Sequence, residues 1–243
     1  MKNVLIGIAG EANSGKDTVA SIINYIHKVG ITKATYSNWL THQQYYDILN
    51  LCKIIHFADP LKDCLSIMFG INRDYFDDRD KKDKEYYLLN ERRFVDEKTF
   101  KGHYLEITID VLKEYNLNEI LYDTKTNIGI KLRTLMQYFG TDICRNQLDE
   151  RVWIKATIDK AADIIYKHGI CIIPDVRYAD EAESISNLSF TGGVIRVKRD
   201  NCNKSNHSSE IIDFDCAYEI DNNGTKMQLF YKVIDAIKNL TKK

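Results

Sequence analysis

From Val4 to Ala9 the chain reads VLIGIA without one polar side chain, the pattern of a short strand buried on both faces of a parallel sheet. A glycine-rich stretch, GEANSGK, follows at once, and Val19, Ile23 and Ile26 then recur at helical spacing. The run KIIHF, ending at Phe57, predicts a second strand. Beyond it, Asp59 is placed to cap a helix with Pro60 in its first turn. Leu61, Cys64, Leu65, Met68 and Phe69 give that helix one apolar face, and Gly70 stops it. Leu132, Leu135, Met136 and Phe139 make another helical stripe, closed by Gly140; Ile154, Ile158, Ala161 and Ile165 make a third, closed by Gly169. The run ICII is a further buried strand that leads into Pro174, Asp175, Val176 and Arg177. A short helix near 180–188, a strand in GGVIRVKR, a short strand at YEI and a helix marked by Phe230, Val233, Ile234 and Ile237 complete the pattern.

Strands alternating with helices predict an α/β fold with a doubly wound parallel sheet flanked by helices. A single domain over 1–243 is expected to carry it. Residues 71 to about 127 break the alternation with the charge-dense stretch NRDYFDDRDKKDKEYY and weak patterns around 94–124. This segment reads as an insertion with its own small structure, and most of the run DDRDKKDKE within it as a solvated face.

Composition narrows the function classes. An apolar fraction of 44% fills a core, and a formal charge of −1 gives no support to a broad nucleic-acid surface. No apolar run approaches the roughly 18 residues that cross a bilayer, and no signal-peptide pattern opens the chain. Six cysteines without C-x-x-C spacing read as free core thiols, so a cytoplasmic location is expected. The match Asn223-Gly224-Thr225 then carries no glycosylation meaning.

The candidate chemistry begins at residues 10–18. Glycines let backbone N–H groups turn inward on phosphate oxygens while the following helix presents its positive end, and Lys16 adds a point charge. Asp17 stands where a hydroxyl would touch magnesium, with Thr18 one place later. A carboxylate beside a triphosphate calls for a cation between them, so Asp17 is expected to hold Mg²⁺ directly or through one of its waters. The plain alternative is a cap on helix N–H groups, with the metal held by phosphates and water. At the end of the ICII strand, Asp175 faces the crevice where open α/β sheets bind ligands, and Arg177 suits a phosphate clamp; a surface ion pair is the alternative. Arg133 and Gln137 share one helix face, the turn Gly140-Thr141-Asp142 offers backbone N–H groups, and Arg145, Arg151 and Trp153 follow. Arginines around one aromatic suit a stacked base with its phosphate neutralised nearby, although solvated arginines and a core tryptophan would look the same.

Taken together, SGKDT, FADPLKD, LRTLMQYFGTDICRN with DERVWIK, IIPDVRYADE, and VIRVKR leading to HSSE resemble the deoxynucleoside monophosphate kinase family of tailed bacteriophages. The resemblance implies a P-loop kinase fold with an inserted monophosphate-binding region at 71–127. It implies transfer of the ATP γ-phosphoryl, with Mg²⁺, to a deoxynucleoside 5′-monophosphate. Lys-Asp-Thr looks like the family's normal form. By motif, Asn13, Gly15, Lys16, Asp17, Thr18 and Arg199 would line ATP. Leu61, Lys62, Arg79, Arg133, Gly140, Thr141, Trp153, Asp175, Arg177 and Glu181 would line the monophosphate. Lys16, Arg145 and Arg177 would stand nearest the reaction, residues 199–210 would form a short lid, and His207 and Glu210 match without an assigned role.

The expected partners are therefore small nucleotides, with no nucleic acid and no membrane, in the host cytoplasm if the chain is phage-encoded; a homodimer is left open. Rival readings are a P-loop kinase for another small acceptor, such as dephospho-coenzyme A or a sugar acid, and a nucleotide-dependent switch or nucleic-acid motor.

Overall fold

A computed structural model describes residues 3–49, 53–89, 91–101, 103–114, 128–200 and 213–241. In chain order its strands are β1 (Val4–Ala9), β2 (Tyr86–Leu88), β3 (Arg93–Val95), β4 (Leu105–Glu106), β5 (Ile128–Ile130), β6 (Ile170–Val176), β7 (Thr191–Lys198) and β8 (Tyr218–Asp221). The chain divides into two compact units, Met1–Phe57 with Ile154–Lys243, and Ala58–Trp153.

The first unit is built on a parallel sheet ordered β6-β1-β7-β8. Alternate side chains of β1 serve two cores, as a strand covered on both faces must. Ile6 and Ile8 pack with the helices Lys16–Val29, Tyr36–Leu49 and Lys226–Leu240. Leu5 and Ala9 pack with Val152–His168 and Ala179–Ser186 on the other face. The doubly wound α/β architecture is thus present, with the glycine-rich loop at the C-terminal end of its central strand. The C-terminal helix starts at a capping box in which Thr225 and Gln228 satisfy each other's backbone N–H groups.

KIIHF forms less of a strand than its apolar run predicts. Ile54 makes one isolated bridge to Ile172, and Ile55 donates its N–H to the Ile172 carbonyl at 3.0 Å. Lys53 sits at φ 41°, which breaks the extended run, and the Phe57 N–H goes to the Asp175 carboxylate instead of a neighbouring strand. Helix Tyr36–Leu49, kinked at His42, had no counterpart in the pattern; its buried anchor is Trp39, whose indole N–H donates to Ser21 Oγ.

In the second unit a small sheet runs β3-β2-β5-β4, with β2 antiparallel to β3 and β5. Residues 71–127 lie inside this unit, which also takes in the helices Asp59–Phe69 and Leu132–Gln137. Helix Asp59–Phe69 ends at left-handed Gly70 as expected, but its N-cap is Ala58, because the Asp59 carboxylate is taken by Arg73. Its buried face is Leu61 and Leu65; Met68 and Cys64 are exposed, so this thiol is not a core residue. Cys144 and Cys171 are buried free thiols, while Cys52 and Cys202 lie outside the described residues.

Gly140 does not close its helix. The chain continues from Tyr138 to Leu148 as a π-helix, a winding often found at functional sites. Gly140 is buried there, and a Cβ at this position would stand 2.6 Å from Leu61 Cδ2.

Candidate active site

The loop between β1 and its helix turns at Asn13, φ 65°, and Gly15, φ 104°, backbone angles that a side chain disfavours. Gly15 is the helix N-cap and no side chain caps the first turn, so its leading N–H groups are not met by a side chain. Lys16 folds back over the loop, its ammonium donating to the carbonyls of Gly10 and Glu11 at 2.7 Å each. Ser14 is 1% exposed, and its hydroxyl has no hydrogen-bond partner. An uncapped helix start, a lysine bridging the loop and an orphaned buried hydroxyl together form a cradle for phosphate oxygens. Asp17 is exposed in the first turn; with Thr18, Ser21, Asn24, Gln43, His56 and Pro174 it lines a recess of about 430 Å³.

Two strands place further site residues on either side of this loop. In β6, Val176 is paired with Ala9, so Asp175 and Arg177 lie beside the start of the loop. In β7, Arg196 is paired with Ala9, so exposed Arg199 follows just past that strand's end. Asp175 is half-buried and accepts the Phe57 N–H at 3.4 Å. Glu181, 6% exposed, accepts the N–H groups of Arg177 (2.8 Å) and Tyr178 (3.2 Å). Burial, reinforced by the nearby Asp175 and Asp180 charges, pushes the Glu181 carboxyl up to about 7 against the pull of those two N–H donors. Glu181 therefore shapes the turn that presents the exposed Arg177 side chain.

The second unit holds the other residues that the sequence singled out. Leu61 packs on Gly140, and the Trp153 indole N–H donates to the Gly140 carbonyl at 3.0 Å, so these three converge. Arg145 donates to the Glu150 carbonyl, and Thr141 and Arg79 are exposed. Lys62, 9% exposed, pairs with Asp77, which also receives Arg73. Burial alone would raise the Asp77 carboxyl, but hydrogen bonds from Lys62 and Arg73 hold it below its ordinary range. Arg133 grips Asp83 through Nε and Nη2 at 2.7 and 3.0 Å, lowering that carboxyl too. Lys82 is half-buried, and burial together with the Arg133 and Lys62 charges depresses its ammonium. Most of the charge run is exposed, but Lys82 and Asp83 are half-buried, and Asp77 and Asp83 join Lys62, Arg73 and Arg133 in an ion-pair network that Asp59 and Asp63 bring to charge balance. Alternating signs within DDRDKKDKE hid those partners from the sequence reading.

Residues 201–210 of the expected lid, with His207 and Glu210, lie outside the described residues. Asn222, which the sequence reading passed over, is 9% exposed and donates from Nδ2 to the Ser14 carbonyl at 2.7 Å. Its only sequence signal was a polar residue closing a short predicted strand.

The model of the family described as deoxynucleotide monophosphate kinase matches residues 84–232, well over half of the chain. The chain belongs to this family. It is also similar to the deoxynucleoside-5′-monophosphate kinase of Escherichia phage T5, with 22% identity over 230 residues that span 86% of this chain and 84% of that one. The molecule is accordingly an enzyme, a kinase of deoxynucleoside monophosphates whose substrates are small nucleotides. Among the described residues, no helix is long and apolar enough to cross a membrane.

Proposed function

We propose that the enzyme takes the γ-phosphoryl of ATP, bound as its magnesium complex, and delivers it to the 5′-phosphate of a deoxynucleoside monophosphate. The observation that carries this reading is the cradle at 10–18: Lys16 held over loop carbonyls, a helix start without a side-chain cap, and the orphaned Ser14 hydroxyl. These groups fit the β- and γ-phosphates of a nucleoside triphosphate. Asn13, Gly15, Lys16, Thr18 and Arg199 are assigned to ATP, and exposed Asp17 to Mg²⁺, directly or through water. When bound, the metal supplies charge neutralisation across the phosphate oxygens.

On this reading Lys16 exchanges its loop carbonyls for phosphate oxygens, moving its charge onto the group that departs. Arg145 and Arg177 are assigned to the transferring phosphoryl. By motif, Leu61, Lys62, Arg79, Arg133, Gly140, Thr141, Trp153, Asp175, Arg177 and Glu181 are assigned to the monophosphate. Lys62 and Arg133, paired here with Asp77 and Asp83, would exchange those carboxylates for its phosphate. No general base is needed, because a phosphate monoester is already anionic near neutral pH. The organisation proposed is a single P-loop kinase domain with the monophosphate-binding insertion at residues 71–127, working in the cytoplasm, where exposed Cys64 stays reduced.

A coupled ADP assay with dAMP, dCMP, dGMP and dTMP, and the ribonucleotides as controls, tests the proposal. ADP is expected to appear rapidly only when ATP, Mg²⁺ and an acceptor are all present. Turnover indifferent to every monophosphate would overturn it.

A further inference from the structure

We infer that the turn Asp221–Asn223 is a positioning clasp for the donor nucleotide, holding Arg199 in a set relation to the phosphate loop. The inference rests on the assignment of ATP to that loop. Asn222 binds both sides: its side-chain amide donates to the Ser14 carbonyl, and its backbone N–H donates to the Lys198 carbonyl, each at 2.7 Å. Asn223 Oδ1 accepts the Asp200 N–H, also at 2.7 Å. Lys198 and Asp200 are the two neighbours of Arg199, so one turn fixes the backbone on either side of that arginine. The turn is itself anchored. Asp221 is in register with Lys198 in the sheet, it accepts from Asn223, and Lys232 of the C-terminal helix donates to its carbonyl and its carboxylate.

The contact with Ser14 acts on the loop through peptide geometry. In a trans peptide the C=O and the next N–H point in opposite directions. Pinning the Ser14 carbonyl on Asn222 therefore turns the Gly15 N–H away from the clasp, toward the side left for phosphates. Gly15 is also what lets the amide approach, because a Cβ there would stand 2.4 Å from Asn222 Nδ2. The loop, Arg199 and the turn thus form one hydrogen-bonded frame, and it serves the donor, not the acceptor.

Titration calorimetry with Mg·ATP, and with an equimolar mixture of dAMP, dCMP, dGMP and dTMP, tests this on the full chain. Asn222→Ala deletes the amide, and Asn222→Asp keeps its size but presents a carboxylate to the Ser14 carbonyl. Both should weaken Mg·ATP binding and raise its KM by about ten-fold, the size of one buried neutral hydrogen bond. The deoxynucleotide KM should stay unchanged. Asn223→Ala, at an exposed position, should weaken ATP by a few-fold in the same selective way. Unchanged ATP affinity in all three variants, or a parallel loss for both substrates, overturns the clasp. If the Asn222 variants do not fold, Asn223→Ala decides. A wild-type enzyme that gives no heat with Mg·ATP overturns the donor assignment, and the clasp with it; normal wild-type binding beside unaffected variants overturns the clasp alone.

Discussion

Glu181 offers a prediction that can be worked through in free energy. The carboxyl is 6% exposed and its pKa is raised from 4.5 to about 7, first by burial and then by the Asp175 and Asp180 charges. Between these two values the folded protein holds the proton more tightly than the unfolded chain does. The stability contributed by this group is therefore fully present below pH 4.5 and is lost as pH rises through about 7. At about 1.4 kcal/mol per pH unit, the interval amounts to roughly 3 kcal/mol, a large share of the ~5–15 kcal/mol that holds a typical domain together. Glu181→Gln keeps the shape and an oxygen for the Arg177 and Tyr178 N–H groups, while removing the charge.

Urea unfolding of both proteins, from about pH 4.5 to about pH 8.5, isolates the effect, because titrating groups that do not interact with residue 181 cancel in the difference. Near the acid end the two should be equally stable, since both side chains are then neutral. The variant should gain on the wild type as pH rises, by up to roughly 3 kcal/mol above pH 8. Parallel stability curves would mean that the carboxyl ionises as freely in the folded chain as in water, and would refute the argument. Activity should move the other way in its cause: if the variant is stabler yet turns over more slowly, the ionised form is what shapes the Arg177 turn during catalysis.

Other outcomes follow from single contacts. Lys16→Ala should cut turnover by about 10²–10³-fold, the scale of one lost charge at a developing anion, with little change in melting temperature. Chelating Mg²⁺ with EDTA should abolish ADP formation, and restoring the metal should recover it. Gly140→Ala forces a methyl against Leu61 Cδ2, which should cost about 1–3 kcal/mol in urea unfolding and raise the deoxynucleotide KM. Trp153→Phe keeps an aromatic ring but loses the hydrogen bond to the Gly140 carbonyl and part of the indole volume, for at least about 1 kcal/mol; equal stability would show that the bond contributes nothing.

The first unit was legible in the sequence because its elements are set by local pattern. The apolar runs at 4–9 and 170–173 read as strands covered on both faces, and the glycines between Ala9 and Lys16 as a turn. Where a long-range partner decides, the pattern failed. KIIHF has the composition of a strand, but Asp175, 118 positions away from Phe57, takes the hydrogen bond that a ladder would have used. Gly140 looked like a helix stop because an unburied glycine is one; buried against Leu61, with its carbonyl met by Trp153, it becomes a place of close packing that winding continues through.

The same distinction separates the site residues that could be read from those that could not. Groups proposed to touch phosphate are charges or glycines at loop positions, and short motifs single them out: Lys16, Asp17, Arg177 and Arg199 are the ones the sequence names. Groups that hold those residues in place act through backbone atoms, and backbone atoms leave no mark on residue choice until the fold brings them together. Asn222 meets Ser14 across 208 positions. A neutral amide in such a role looks, in sequence, like any polar residue past the end of a strand. Positioning residues should therefore be sought by asking which buried side-chain atoms meet the carbonyls and N–H groups of a catalytic loop, and in this enzyme that question leads to the Asp221–Asn223 turn.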